Sequence, residues 1–248
     1  MSKVILKKGR EESLLRFHPW VFSGAVAQVV GQPAEGDEVS VWASDGSLLG
    51  CGHWQIGSIA VRMLLFGAEH TGASFWYDAL LAAFEARRAF GLVSNPSTTC
   101  YRLVHGEGDG LPGLIVDYYD GVCVMQAHSA GMFRAKRQIC EALRKVYGDS
   151  LKAVYDKSSG TAPFKAGLDL VDEIRAETVA GHVDVVARVD GEARGIGFVL
   201  GKAPEDQLAH GVPIADDASA EALWKYTLAS PLSRLFDAET VRPVLSSA

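Results

Sequence analysis

Cations and aromatic rings are concentrated near the amino terminus of this 248-residue chain. Residues 1–22 contain five Lys or Arg side chains against two Glu, and they include a His-Pro-Trp sequence. Ammonium and guanidinium groups bind phosphate, whereas an indole stacks on nucleobases. These residue types predict an RNA-binding surface, which we call the corner surface and which consists of Lys7, Lys8, Arg10, Arg16, His18 and Trp20.

A helix followed by a strand would hold these side chains together. An apolar pair predicts a short helix over residues 11–17, and Pro19 ends it because the residue before a proline disfavours the α region. Residues 21–26 are predicted to form a partly buried strand. A structural interpretation stays open, in which the cations only face solvent and Trp20 fills a small barrel.

Two strings of the sequence resemble a known family. Residues 8–26 read KGREESLLRFHPWVFSGAV, and residues 101–117 read YRLVHGEGDGLPGLIVD. In this order they are similar to the PUA-containing bacterial methyltransferases that act on cytosine C5 of large-subunit ribosomal RNA, and the similarity extends to the region of Leu168. The resemblance implies a PUA fold, RNA as the partner, and S-adenosylmethionine as the cofactor of a class I methyltransferase domain.

Short strands separated by turn sequences fill the first part of the chain, a pattern typical of a small barrel. The predicted fold is mixed α/β, with a PUA-like β-barrel over residues 1–72 and a connecting helix and linker over 73–99. A small α+β domain with the order strand, strand, helix, strand is predicted over 100–168. Residues 169–248 are poorly patterned and show no complete Rossmann-like methyltransferase domain, so we interpret them as a divergent or truncated tail.

The sequence offers only weak candidates for a cofactor loop. Gly195, Gly197 and Gly201 follow a predicted strand over residues 182–189. A dinucleotide-type loop must then open a helix, but a proline and two acidic residues follow instead. These glycines are therefore no more than weak candidates for binding S-adenosylmethionine.

The four cysteines of the sequence are the residues that could supply a catalytic thiolate. The family that the chain resembles uses a cysteine thiolate as the nucleophile that activates the pyrimidine ring. Cys51, Cys100, Cys123 and Cys140 lie in contexts where buried, inert thiols are expected, and residues 169–248 contain no cysteine. No catalytic residue is therefore predicted, and because CxxC spacing is absent, no metal site is predicted either.

Charge is distributed unevenly along the chain. The net charge is −6, but residues 1–168 carry +1 and residues 169–248 carry −7. Local positive density, and not the total charge, steers a polyanion. Because no apolar run is long enough to cross a bilayer and no signal sequence precedes the first strand, we predict a cytoplasmic protein with no membrane partner.

Two further charged stretches have structural interpretations. Residues 106–110 read GEGDG, and because acidic groups repel phosphate, they predict a structural turn whose glycines supply positive φ angles. A helix predicted over residues 131–147 carries cations on one face. These either extend the RNA-binding surface or only face solvent.

Three functions are compatible with these observations. The first is binding of ribosomal RNA by a methyltransferase homologue whose catalytic domain is missing or degenerate. The second is S-adenosylmethionine-dependent RNA methylation, carried out by the chain alone, as a homodimer or with a partner subunit. The third is a protein adaptor with no RNA role.

Overall fold

The first part of the chain folds into a six-stranded sheet. The computed structural model describes residues 1–163 and, for the backbone alone, residues 173–174, 182–189 and 192–199. The strands of this sheet are β1 (Ser2–Leu6), β2 (Trp20–Phe22), β3 (Val26–Val30), β4 (Glu38–Trp42), β5 (Leu48–Trp54) and β6 (Ile59–Phe66). Their order in space is β2-β6-β5-β4-β1-β3, with β1 and β4 parallel and all other neighbours antiparallel.

This strand order requires the sheet to curl on itself. Its two edges are β2 and β3, which are consecutive in sequence and joined by the 3-10 helix Ser23–Ala25. A link of this length spans at most about 14 Å when fully extended. The two edges therefore lie close together, as the prediction of a small barrel requires.

Apolar side chains at alternate positions along the strands fill the inside of the curled sheet. In β1, Val4 and Leu6 are buried whereas Lys3 is exposed, which is the period of two expected for a strand with one buried face. The buried apolar side chains that pack together here are Val4, Leu6, Leu14, Val21, Val39, Val41, Ala43, Leu49, Val61 and Met63.

The first helix is shorter than the sequence predicts. Helix α1 comprises Glu12–Leu15, a single turn, and of its apolar pair only Leu14 is buried. The chain already turns at Phe17, whose φ of 62° lies in the left-handed region, before Pro19 is reached. The strand predicted over residues 21–26 is likewise divided into β2 and a 3-10 helix, because the chain changes edges of the sheet there.

A second sheet and its helices form the next unit. Its elements are α2 (Phe75–Ala89), β7 (Cys100–His105), β8 (Leu114–Tyr119), β9 (Val122–Ala127), α3 (Ala130–Arg134), α4 (Lys136–Tyr147), β10 (Ala153–Asp156) and β11 (Glu173–Ile174). The strand order is β11-β10-β9-β8-β7. Strands β9 and β10 are parallel because α3 and α4 carry the chain back between them, and the other neighbours are antiparallel.

This unit differs from the prediction in three details. The helix predicted over residues 131–147 is two helices, which meet at Ala135. Helix α2, predicted as a connector, packs into the core of the unit, where the ring of Phe84 lies 5.0 Å from that of Tyr147. The sheet also includes β11, which follows the domain boundary predicted at residue 168.

The two units contact each other along β5 and α3. Gly131 of α3 lies so near His53 of β5 that a Cβ atom at Gly131 would be 2.1 Å from the imidazole Cγ. Any other residue at this position would therefore require the His53 side chain or the neighbouring backbone to shift. An ion pair of 3.0 Å between Arg134 Nη1 and Asp37 Oδ1 adds a polar contact.

A two-stranded antiparallel sheet consists of β12 (His182–Val189) and β13 (Glu192–Val199). The strand predicted over residues 182–189 is therefore present. Gly195 and Gly197 lie within β13, opposite Val186 and Asp184, and not in a turn that opens a helix. Gly201 lies outside the described residues, and the three glycines stay weak predictions for a cofactor loop.

Candidate nucleic-acid interface

The turn between α1 and β2 sets the shape of the corner surface. The amide of Phe17 donates to the carbonyl oxygen of Leu14 at 2.9 Å, and the amide of His18 donates to that of Ser13 at 2.9 Å. The carbonyl oxygen of Pro19 then accepts from an amide of β6 at 2.8 Å. These bonds fix the backbone from which His18 and the following tryptophan project.

Aromatic rings follow one another along this turn. The rings of His18 and Trp20 lie 5.7 Å apart at 83°, and those of Trp20 and Phe22 lie 6.2 Å apart at 89°. The amide of Trp20 also donates to Nδ1 of His18 at 3.2 Å. Phe22, which the sequence did not single out, is 49% exposed and extends the aromatic part of the surface.

Among the described residues, three cations of the corner surface have no carboxylate partner. Lys7, Lys8 and Arg10 are exposed, and within the described part of the chain no Asp or Glu oxygen lies within 4.0 Å of their charged groups. The Lys7 ammonium donates to the carbonyl oxygen of Gly24 at 2.8 Å, so its position is fixed while its charge is not neutralised.

Arg16 is arranged differently. Its Nη2 lies 3.9 Å from Oε2 of Glu12, four residues earlier, and 79% and 75% of the two side chains are exposed. An ion pair at this exposure contributes little free energy because water screens it. A phosphate group can therefore compete with Glu12 for the guanidinium.

Two cations of the second unit, in contrast, lie against buried carboxylates. Lys136 Nζ lies 2.8 Å from Asp156 Oδ2, and only 7% and 0% of these side chains are exposed. Arg102 Nε lies 2.8 Å from Asp117 Oδ1, with 18% and 2% exposed. These pairs join helix to sheet and strand to strand, so they serve the fold.

The turn over residues 106–110, which we call the acidic turn, contacts the corner surface. Its first four residues form a 3-10 helix, and Gly110 takes a φ of 70°, in agreement with the structural turn that the glycines predict. Glu107 Oε1 accepts a hydrogen bond from the indole Nε1 of Trp20 at 2.9 Å. Trp20 is half-buried between the two units and does not belong to the apolar core of the curled sheet.

Glu107 also acts on two neighbouring basic side chains. Burial lowers the pKa of Arg62, which lies opposite Trp20 on β6, and the negative charge of Glu107 opposes this shift. Burial likewise lowers the pKa of His128, again against the influence of Glu107. Sequence reasoning found neither Glu107 nor Arg62, because nothing in the linear order shows that the acidic turn meets β2.

A pocket of about 260 Å³ opens beside the corner surface. Two of its residues, Arg10 and Trp20, were predicted from the sequence. Ser13 and Phe22 lie in the same string of residues 8–26 and were not singled out. The complete lining consists of Arg10, Ser13, Leu14, Trp20, Val21, Phe22, Gly24 and Ala25.

The described residues form no cluster of metal-ligating side chains. Among them, no three His, Cys, Asp or Glu side chains are grouped so that they could hold an ion. In the same part of the chain, no helix is long and apolar enough to span a bilayer.

The curled sheet corresponds to a known domain type. Residues 4–66 match the PUA-like domain. The match begins in β1 and ends with β6, so this PUA-like domain includes α1, the pocket and every residue of the corner surface.

Two curated relatives are similar beyond the PUA-like domain. The chain is 39% identical over 169 residues to the ribosomal RNA large subunit methyltransferase I of Aeromonas hydrophila, covering 67% of this chain and 42% of that protein. For the protein of the same description from Erwinia tasmaniensis, the identity is 37% over 174 residues, covering 69% and 43%. The chain therefore spans less than half the length of these relatives.

Two solved structures share the fold. A Streptococcus mutans protein assigned to the SAM-dependent methyltransferases superposes with a TM-score of 0.62 at 17% identity, over 82% of this chain and 49% of that one. A second protein assigned to the methyltransferases, in complex with SAH, gives a TM-score of 0.62 at 15% identity, over 90% and 60%. At these identities the likeness concerns the fold alone.

Proposed function

We propose that this chain binds RNA, and specifically ribosomal RNA, through the corner surface of its PUA-like domain. The observation that carries the proposal is the set of exposed cations, Lys7, Lys8 and Arg10, which have no carboxylate partner in the described part of the chain. They lie beside the exposed rings of His18 and Phe22 and the half-buried ring of Trp20. The names of the curated relatives support ribosomal RNA as the substrate class.

An external polyanion accounts for this arrangement better than the fold does. Three like charges within four residues repel one another, and without carboxylate partners among the described residues they add little to stability. Phosphates along a nucleic acid supply the missing countercharges, and the neighbouring rings offer stacking surfaces for bases. A free inorganic anion would use the cations but not the rings.

Charge reversal at the corner tests the proposal. We expect Arg10→Glu combined with Arg16→Glu to abolish most binding to structured ribosomal RNA fragments at low salt. Milder removal of the same two charges, Arg10→Gln with Arg16→Gln, should lower the slope of log K against log salt by about 2, one for each lost phosphate contact. Fluorescence anisotropy over a series of salt concentrations measures both effects.

Helix α4 provides the matched control. Arg144 and Lys145 are adjacent exposed cations, also without a carboxylate partner among the described residues, and they lie outside the PUA-like domain. Arg144→Glu combined with Lys145→Glu changes the net charge by the same amount. If both double variants weakened RNA binding equally, the corner surface would not be the specific site.

We infer that this chain does not transfer a methyl group to a pyrimidine by itself. A C5 methyltransferase needs a thiolate nucleophile, and all four cysteines of the sequence are buried. Burial raises the pKa of Cys51 to about 12 and that of Cys100 to about 11, and it also raises the pKa of Cys123. We propose that the chain corresponds to the PUA-like and α+β portion of a cytoplasmic ribosomal RNA methyltransferase homologue.

A methyltransferase that acts with a partner is the second candidate function. The similarity to the ribosomal RNA methyltransferases of Aeromonas and Erwinia favours it. It requires that the purified chain bind S-adenosylmethionine, which isothermal titration calorimetry at high protein concentration measures. No heat of binding under those conditions would remove this candidate for the chain by itself.

A further inference from the structure

The pocket beside the corner surface has the size of a site for a single ring system. Its volume of about 260 Å³ lies below the range of roughly 300–1,000 Å³ that is usual for sites of drug-sized ligands. An extended ligand would therefore not fit inside it. One planar base would fit inside it and leave its sugar and phosphate at the mouth.

The lining matches a nucleobase in chemistry as well as in size. Apolar and aromatic walls come from β2 and the residues after it, including Val21, Phe22 and Ala25, whereas Arg10 and Ser13 supply polar groups. Bases taken out of a helix are bound by stacking on aromatic rings together with hydrogen bonds to their edges. Both kinds of contact are available within this one pocket.

The position of Trp20 in the pocket wall is fixed before any ligand arrives. Its indole N–H donates to Glu107 on the acidic turn at 2.9 Å, so one edge of the ring is held by the second unit. A side chain that is already ordered loses little rotamer freedom when a ligand binds against it. The ring is therefore prepared for contact with a planar group.

The cations distinguish a nucleotide from other occupants of similar size. Arg10 lines the pocket, and Lys7 and Lys8 precede it in the same short segment without carboxylate partners among the described residues. A phosphate attached to a base in the pocket would lie near these charges. An apolar side chain of a protein partner would fill the same volume but would leave the cations without a countercharge.

We infer that this pocket binds one unstacked nucleobase of the RNA that the corner surface holds, an inference that rests on the proposed RNA binding. The chain then prefers RNA with an unpaired nucleotide, such as a bulge, over a continuous duplex. The cations hold the backbone on either side, and the pocket supplies the preference for an unpaired base.

A pair of RNA hairpins tests this directly. The two hairpins are identical except that one has a single bulged adenosine and the other has an abasic residue at that position, so their phosphates are the same. We expect the protein to bind the bulged adenosine about 5- to 150-fold more tightly, which corresponds to the roughly 1–3 kcal/mol of stacking one base on aromatic side chains.

Two alanines supply a variant and a matched control. Ala25→Leu places a larger side chain in the pocket and narrows it, whereas Ala27→Leu introduces the same side chain at an exposed position of β3 outside it. Ala25→Leu should remove the preference for the bulged adenosine and leave the salt dependence unchanged, since the phosphate contacts remain. Ala27→Leu should keep both properties.

The outcomes separate the inference from the proposed function. If the unmodified protein bound neither hairpin, RNA binding itself would be wrong, and the inference with it. If it bound both hairpins equally, RNA binding would stand and the base pocket would be refuted. Preference for the bulge that survived both Ala25→Leu and Phe22→Ala would also overturn the inference, and would point to another occupant such as a protein side chain.

Discussion

The corner surface and the acidic turn lie side by side, but their charged side chains differ in burial and in ion pairing. In the acidic turn, Asp109 forms a bidentate ion pair with Arg87. Only 10% of the Asp109 side chain and 15% of the Arg87 side chain are exposed. In the corner surface, Lys8 and Arg10 are exposed without a carboxylate partner among the described residues. Both stretches look alike in the sequence, since each combines charge with glycine.

The difference teaches that partners and exposure, and not the number of charges, separate folding from binding. Removing one member of a buried pair leaves an uncompensated charge, which strongly destabilises a protein. Removing an exposed, unpaired cation leaves the fold almost unchanged. The two regions should therefore respond differently to mutation, one in stability and the other in affinity for RNA.

The largest effect is expected at the buried pair of the second unit. Lys136→Met removes the ammonium 2.8 Å from Asp156 and leaves a carboxylate that is 0% exposed. We expect the free energy of unfolding to fall by about 3–5 kcal/mol, the usual range for breaking a buried pair. Urea denaturation followed by circular dichroism measures this change.

The adjacent residue serves as the control. Arg137 is 82% exposed and pairs with Glu141 at 3.7 Å, so Arg137→Met should change stability by no more than about 0.5 kcal/mol. Comparable losses for the two variants would contradict the distinction between buried and exposed charges. RNA affinity should stay the same for Arg137→Met.

A smaller effect is expected from pH at the contact between the units. His53 is 6% exposed, its Nδ1 has no hydrogen-bond partner among the described residues, and burial lowers its pKa from 6.5 to about 4. Glu38 raises this pKa and Arg62 lowers it, but both effects are smaller than that of burial.

Between these two pKa values the unfolded chain binds a proton that the folded protein does not. The contribution of His53 to the free energy of unfolding is therefore fully present above pH 6.5 and is lost as the pH falls towards about 4. The slope from this residue is at most about 1.4 kcal/mol per pH unit. Chemical denaturation at several pH values measures the slope. His53→Gln should reduce it, whereas His70→Gln, at an exposed histidine, should not. An unchanged slope in His53→Gln would assign the pH dependence to other groups.

Local features of the fold could be predicted from the sequence because their causes are local. The cations of the corner surface lie within one short segment, so their exposure and proximity follow from the chain itself. The acidic turn was predicted from its glycines, and Gly110 has the positive φ that such a turn needs. The burial of the four cysteines also agrees with the prediction.

Features that depend on distant residues could not be predicted. The hydrogen bond from Trp20 to Glu107 joins residues 87 positions apart, and the contact of Gly131 with His53 joins two units. The early end of α1 depends on the positive φ of Phe17, which a bulky residue rarely adopts. The pairing of Gly195 and Gly197 within β13 could not be predicted either, because glycine in a strand is uncommon.

The smallest effect is expected where the two regions meet, at Glu107. Glu107→Ala removes the acceptor 2.9 Å from the indole N–H of Trp20, and a hydrogen bond of this kind contributes about 1 kcal/mol to stability. Glu107→Gln keeps an oxygen acceptor and should retain most of that stability. Thermal unfolding of the two variants separates the hydrogen bond from the charge.

RNA affinity gives the second measurement on the same variants. Both substitutions remove a negative charge beside the corner surface, so both should strengthen binding slightly, by less than tenfold. Only Glu107→Ala releases the edge of Trp20, and it alone should weaken the preference for a bulged adenosine. If Glu107→Gln weakened RNA binding, the carboxylate would belong to the binding surface itself, and the division between a structural acidic turn and a binding corner would be wrong.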